Sequence, residues 1–218
     1  PSAIYGLTEI YREKIKTATL IGNPGCYPTS VLLPLIPLIK KQWIDPATII
    51  ADSKSGVSGA GRAPVLATLF CEVTESFRAY KVAEHRHNPE MNEILTREAG
   101  QPVSITFVPH LVPMSRGMLS TIYVSLAEDV SAEVVHQLYA ETYTGEPFVR
   151  LLPLGQLATM AHTQRTNLCA ISITPVDVCH TRQLILCSSI DNLGKGATGQ
   201  AVQNFNVMFG LSETEGLV

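Results

Sequence analysis

Among the 218 residues of the chain, Cys26 is the side chain best placed for covalent chemistry. It follows Gly22-Asn23-Pro24-Gly25, a strong turn signal, and precedes a helical pattern opened by Pro28. Backbone N–H groups left unpaired at a helix start favour an anion, so a thiolate there is expected to be stabilised and its pKa lowered. The glycine beside it lets substrate and backbone approach closely. The competing reading is a small buried hydrophobe, the commoner fate of a free cysteine. Cys71, Cys169, Cys179 and Cys187 sit in apolar stretches and read as buried structural residues.

A cysteine nucleophile needs an acid or base within reach. His85-Arg86-His87 offers two imidazoles two residues apart, which project to the same side if the segment is extended. One of them could protonate a departing oxygen or hold the thiolate as an ion pair. Surface histidines beside a helix start are the plainer alternative. His85, His87 and His110 as three metal ligands lack a CxxC or HExxH partner, so no metal is expected. Ser58-Gly59-Ala60-Gly61-Arg62 and Ser115-Arg116-Gly117 each combine backbone N–H groups with a guanidinium. Either alone is an ordinary surface turn. With Cys26 and the histidines they suggest a site for an anionic acyl substrate, since an arginine fork suits carboxylate or phosphate.

These residues need elements to hold them. Leu7, Ile10, Tyr11 and Ile15 fall on one helical face. A second helix runs from Pro28 to about Gln42, with Pro34 and Pro37 expected to kink or shorten it. Thr48–Asp52 reads as a buried strand and 53–62 as a glycine-serine loop. Asn88 reads as an N-cap for a helix over Pro89–Glu98. Strands are expected over 103–108, 121–126, 148–152, 168–174 and 184–189. Ser131 caps a helix that turns Val134, Val135, Leu138 and Tyr139 to the core, and a last helix spans about 197–209. Strands and helices without regular β-α-β alternation predict an α+β domain with a mainly antiparallel or mixed sheet and helices packed on it.

Gly194-Lys195-Gly196-Ala197-Thr198-Gly199 matches GxGxxG after a strand and before a helix. Only 19 residues follow Gly199, too few for the rest of a βαβ unit of roughly 30 residues. A nucleotide fold built on it is therefore rejected. The glycines are expected to let Asp191-Asn192 and the next helix pack closely against another domain.

Composition excludes several classes. A net charge of −3 without Lys/Arg clusters argues against a nucleic-acid partner. The longest apolar run, 31–39, contains two prolines and is too short to span a bilayer, so no membrane partner is expected. Five cysteines without tight spacing suit a reducing compartment. Beginning at Pro1 and entering a helical pattern almost at once, the chain reads as a piece of something longer.

The segment Gly22-Asn23-Pro24-Gly25-Cys26-Tyr27-Pro28-Thr29 closely resembles the active-site segment of the N-acetyl-gamma-glutamyl-phosphate reductase family of the arginine pathway. The resemblance extends, in order, through 55–62, Tyr80-Lys81-Val82-Ala83-Glu84-His85-Arg86-His87, 107–114 and Asp191-Asn192-Leu193-Gly194-Lys195-Gly196-Ala197. It implies a glyceraldehyde-3-phosphate-dehydrogenase-like C-terminal domain, with 1–190 as catalytic and dimerisation domain. Residues 191–218 would then pack on an NADP-binding Rossmann domain not present in this chain. It also implies that Cys26 attacks the acyl phosphate of N-acetyl-glutamyl phosphate and expels phosphate to leave a thioester. Hydride from NADPH then gives a thiohemiacetal that collapses to the semialdehyde. His85 is favoured as acid and base with His87 in support, Asn192 and Ser58-Gly59 border the cofactor, and Ser58, Arg62 and Arg116 meet the substrate. A homo-oligomer, dimer or tetramer, is implied, in the cytoplasm or, in a eukaryote, an organelle. The alternatives are a related acyl-phosphate reductase of aspartate-semialdehyde or aminoadipate type, or an isolated non-catalytic dimerisation domain.

Overall fold

The computed structural model describes residues 2–63, 65–178 and 181–217. Cys179 lies outside them. A short strand β1 (Ile4–Tyr5) leads into helix α1 (Thr8–Ile15), which buries Leu7, Tyr11 and Ile15 as its periodicity predicts. Strand β2 (Ile21–Gly22) pairs in parallel with β1 and delivers the chain to helix α2 (Cys26–Lys41).

Helix α2 is the spine of the core, and every residue from Tyr27 to Ile39 is buried. The two interior prolines neither end nor shorten it. Pro37 has no N–H to give the carbonyl of Leu33, four residues back. That carbonyl accepts the Tyr143 hydroxyl instead, and the Pro34 carbonyl accepts the Tyr139 hydroxyl. Both phenols come from helix α5 (Ala132–Thr142) and its C-terminal cap. At Pro37 a neighbouring side chain thus fills the gap that the missing N–H leaves.

The remaining elements are β3 (Ile50–Ser55), the single turn α3 (Phe70–Val73), β4 (Arg78–Ala79), α4 (His87–Ala99), β5 (Thr106–Leu111) and β6 (Met118–Ser125). After α5 come β7 (Val149–Leu151), β8 (Cys169–Val178), β9 (Thr181–Ile190) and α6 (Gly199–Met208). Seven strands form one sheet in the order β4-β5-β3-β6-β9-β8-β7. The β3/β5 and β7/β8 pairs are parallel and the others antiparallel, a mixed sheet as expected.

Helix α2 seats on this sheet through a chain of buried hydroxyls, Ser30–Ser120 and Ser53–Ser120, both at 2.7 Å. Along β6, Met118, Ser120, Ile122 and Val124 face that helix and are buried, while Leu119, Thr121, Tyr123 and Ser125 on the other face are half-exposed. Asp52 and Lys54 on β3 and Ile185 and Cys187 on β9 continue the half-exposed face. Among the described residues no helix is long and apolar enough to cross a membrane.

Several boundaries differ from expectation for local reasons. Residues 46–48 form a 3₁₀ turn capped by Asp45, which accepts the Ala47 N–H at 2.9 Å, so β3 starts at Ile50 and takes in 53–55. Strand β5 starts only at Thr106, because α4 side chains catch the approach. Thr96 Oγ1 accepts the Val103 N–H at 2.9 Å and Asn92 Oδ1 the Ile105 N–H at 3.1 Å. Asn88 is not the cap of α4, which begins at His87 after Arg86 without a side-chain cap bond. Ser131 does cap α5, accepting the Val134 N–H at 3.4 Å, but Val134 itself is exposed. Cys169 is buried as expected, Cys187 is half-buried, and Cys71 is exposed on the outer side of α3.

Removing one phenol should reveal the repair of α2. Tyr143→Phe keeps the ring but leaves the Leu33 carbonyl unsatisfied in the core, so unfolding stability should drop by about 1–3 kcal/mol in urea titration. A loss indistinguishable from zero would mean that the helix tolerates Pro37 without help.

Candidate active site

Cys26 is the first residue of α2, with Gly25 as its extended N-cap. The sulfur is met by the N–H groups of Tyr27 and Cys26 itself. Burial nevertheless outweighs them and the nearby Arg86 charge, and the thiol is pushed up to about 11. The expected thiolate is therefore not the resting form in this chain. Helix-end stabilisation is real here, but it is smaller than the cost of desolvating a charge.

The two histidines gather beside Gly25, the residue before Cys26. A Cβ on Gly25 would lie 2.5 Å from His87 Nε2 and 2.7 Å from its Cε1, so the imidazole occupies the place of the missing side chain. His85 and His87 stand ring to ring at 4.8 Å, and the Tyr27 ring lies 5.3 Å from His85 and 6.0 Å from His87. Tyr80 and Phe107 complete the aromatic cluster, with the Tyr27 and Tyr80 hydroxyls 3.0 Å apart. Burial, helped by the charges of Arg86 and Lys81, lowers His85 to about 4. Burial, His85 and Arg86 lower His87 to about 4 as well. Both imidazoles are neutral near pH 7, which rules out the thiolate–imidazolium pair as the resting state.

The tautomer of His85 follows from one bond. Its Nδ1 accepts the His87 backbone N–H at 3.2 Å, so in the neutral ring the proton sits on Nε2. Glu90, on α4, ties the arrangement down. Its Oε1 accepts the Gly25 N–H at 3.1 Å and the Tyr5 hydroxyl at 2.7 Å. Sequence reading missed Tyr27, Tyr80 and Glu90. Glu90 lies three residues after His87, one helical turn, and that spacing was the available signal.

His85 opens onto a cavity of about 410 Å³ lined by Gly59, Arg78, Tyr80, Lys81, Arg86 and their neighbours. Ser58 and Gly59 reach the site through Asn192, whose Nδ2 donates to Ser58 Oγ at 2.9 Å while its Oδ1 accepts the Gly117 N–H at 2.7 Å. Arg62 is exposed on the loop beyond Gly59. Arg116 lies elsewhere, its Nε 2.6 Å from a carboxylate oxygen of fully buried Asp191. The structure thus brings Cys26, His85, His87, Ser58, Gly59 and Asn192 into one neighbourhood and puts Arg78, Lys81 and Arg86 on the cavity wall. His110 stands 3.0 Å from Asp52, and among the described residues no three His, Cys, Asp or Glu side chains converge as a metal site.

The GxGxxG glycines pack against this domain's own atoms. A Cβ on Gly196 would come within 2.8 Å of Cys26 Cβ, one on Gly194 within 2.5 Å of the Thr166 carbonyl, and one on Gly199 within 2.2 Å of Asn167 Oδ1. Gly194 and Gly196 belong to a five-residue π-turn, Gly194–Thr198, packed against Cys26, and Gly199 caps it. Crowding within this chain already requires glycine at these three positions.

The lowered histidines make stability depend on acidity. Between pH 6.5 and about 4 the unfolded chain binds protons that the folded chain refuses. Their contribution is complete above pH 6.5 and is lost as pH falls. The thermal midpoint should therefore drop from pH 7 to pH 5, above the range where carboxylates titrate, and His87→Asn should flatten that slope.

A family profile described as semialdehyde dehydrogenase, dimerisation domain, matches residues 26–192. N-acetyl-gamma-glutamyl-phosphate reductase of Geobacter metallireducens is 58% identical over 216 residues, covering 99% of this chain, and that of Desulforapulum autotrophicum is 54% identical over 217 residues, also covering 99%. The chain spans 62% of the length of these two relatives. Among solved structures, aspartate semialdehyde dehydrogenase II of Vibrio cholerae superposes with a TM-score of 0.72 at 17% identity, over 93% of this chain and 67% of that one. Aspartate semialdehyde dehydrogenase of Francisella tularensis gives 0.69 at 12% identity, over 93% and 70%. At such identities these two speak for the fold alone. With the profile running from Cys26 to Asn192, the chain belongs to the semialdehyde dehydrogenase dimerisation-domain family.

Proposed function

We propose that this chain is the catalytic and dimerising part of an N-acetyl-gamma-glutamyl-phosphate reductase, which reduces the acyl phosphate to the semialdehyde through a Cys26 thioester in arginine biosynthesis. The observation that carries the reading is Cys26 at a helix start, with the His87 imidazole over the adjoining Gly25, His85 ring to ring with His87, and a cationic cavity beyond. The identity to relatives of that name supports the choice of substrate. Bacterial relatives suit a cytoplasmic setting.

In this reading Arg78, Lys81 and Arg86 draw the phosphate and carboxylate of the substrate into the cavity. Arg62, on the exposed loop, closes on it, while Arg116 stays paired with Asp191 away from the cavity. His87, lying over Gly25, takes the thiol proton as the sulfur bonds to the acyl carbon, so no resting thiolate is needed. The bond from acyl carbon to phosphate oxygen breaks, and phosphate leaves with the electron pair. The N–H groups of Cys26 and Tyr27 steady the oxygen that gains charge. His85 Nε2–H gives its proton to the departing phosphate oxygen, which its tautomer suits. When the tetrahedral thiohemiacetal oxyanion collapses to the aldehyde, the sulfur leaves as thiolate and takes back the proton that His87 holds.

NADPH, held mainly by a domain outside this chain, supplies the hydride when bound. Asn192 and the Ser58-Gly59 backbone suit its nicotinamide edge: the Asn192 amide is locked at both ends, and Gly59 leaves the lip of the cavity bare. The outer side of α6 carries exposed Val202, Phe205 and Phe209, the two phenyl rings 4.5 Å apart, and this stripe fits against that other domain. The half-exposed sheet face fits a second copy of the chain, in keeping with the family's description as a dimerisation domain.

In the full-length enzyme Cys26→Ala should abolish phosphate-dependent NADP reduction by the semialdehyde while the fold survives. His85→Asn should slow turnover by roughly 10²–10⁴-fold. Unchanged turnover in Cys26→Ala removes the thioester from the mechanism, and a greater loss in His87→Asn than in His85→Asn reverses the acid and base roles. For assembly, Tyr123→Asp with Ile185→Asp should convert the oligomer to a monomer in sedimentation velocity; an unmoved sedimentation coefficient places the interface elsewhere.

A further inference from the structure

Behind the nucleophile lies a charge pair that the chemistry above does not use. Lys195 and Glu9 have no exposed side-chain surface, and Nζ stands 2.5 Å from Oε1. Nζ also donates to Gln203 Oε1 at 2.5 Å and sits 5.8 Å from the centre of the Phe148 ring. Gln203 closes the triangle, donating through Nε2 to Glu9 Oε1 at 2.9 Å and to Glu213 Oε1 at 2.8 Å. Burial pushes the Glu9 carboxyl up, but the Lys195 charge and the hydrogen bonds win and leave it below its ordinary range.

Stability is a weak reason for such a pair. Removing both ions from water costs several kcal/mol each, and an uncharged pair of similar volume often folds as well. What charge-assisted hydrogen bonds add is a fixed direction. The neighbours of Lys195 say what is fixed. Gly196, the next residue, lies so close to Cys26 that a Cβ would come within 2.8 Å of Cys26 Cβ and 3.2 Å of its Cα. The Gly196 N–H donates to the Asp191 carbonyl at 2.9 Å, and Asn23 Nδ2 reaches the Ala197 carbonyl at 3.3 Å. The turn is thus pressed on Cys26 in front and held by one buried ammonium behind.

Resting on the reading of Cys26 as nucleophile, we propose that the Glu9–Lys195 pair is a positioning device: it locks the 194–198 turn so that Gly196 backs Cys26 and the sulfur cannot swing away from the cavity. The anchor comes from α1 and the turn from the chain's other end, so the two ends of the sequence meet to aim one atom.

The test compares full-length wild type with Lys195→Met and with the neutral pair Glu9→Gln/Lys195→Met, whose volumes are close to the originals. Lys195→Met leaves Glu9 uncompensated and should lower the thermal midpoint. The neutral pair should recover that midpoint, yet keep kcat at least about tenfold below wild type with KM for the acyl phosphate little changed, as misplacing a reacting atom predicts. Iodoacetamide alkylation of Cys26, followed by mass spectrometry, needs no substrate and should proceed at a rate distinct from wild type. A neutral pair with wild-type kcat and wild-type alkylation overturns the proposal, and so does one that melts as low as Lys195→Met, because the pair is then a stability element only. A wild type that turns over no acyl phosphate sinks the functional reading instead, and the alkylation comparison still decides this one.

Discussion

The contact between the His87 imidazole and the bare Cα of Gly25 governs the rest of the site. It is a packing constraint before it is a chemical one: no side chain fits at the N-cap of α2 because a ring already stands there. The same glycine gives its N–H to Glu90, which projects from the helix that His87 begins. Two helices distant in sequence are thereby joined end to end, with the cysteine at the junction. Everything that makes Cys26 more than a buried thiol follows from that joint.

Electrostatics at the joint run against the simplest expectation. A helix start favours an anion by a fraction of a kcal/mol to about 2 kcal/mol, whereas burying a charge costs more than that. Desolvation decides, and it drives thiol and imidazoles alike to their neutral forms. A neutral set of groups is cheap to keep dry. The positive charge stays on the cavity wall, in Arg78, Lys81 and Arg86, where water still reaches it.

Much of this was legible in sequence, and what was not has definable causes. The buried face of α1, the Ser131 cap and the mixed sheet follow from periodicity and capping chemistry, which are local. Cys26, His85 and His87 were legible because turn, nucleophile and imidazoles carry their own spacing. Arg116 was hidden because its partner, Asp191, is 75 residues away and its pairing depends on tertiary structure. The endurance of α2 through Pro34 and Pro37 was hidden likewise, since the hydroxyls concerned belong to another helix. Asn88 failed as a cap because His87 must begin α4 to reach Gly25, a demand from the site overriding a local preference.

The phenols that complete α2 have a dynamic consequence. A helix whose ladder is finished by its neighbour cannot fray at those rungs alone; opening there also detaches Tyr139 and Tyr143. The middle of α2 and the end of α5 therefore form one cooperative unit, whose amides exchange with solvent together. Cys26 stands at the head of that unit, so the floor beneath it gives way only when the whole block does.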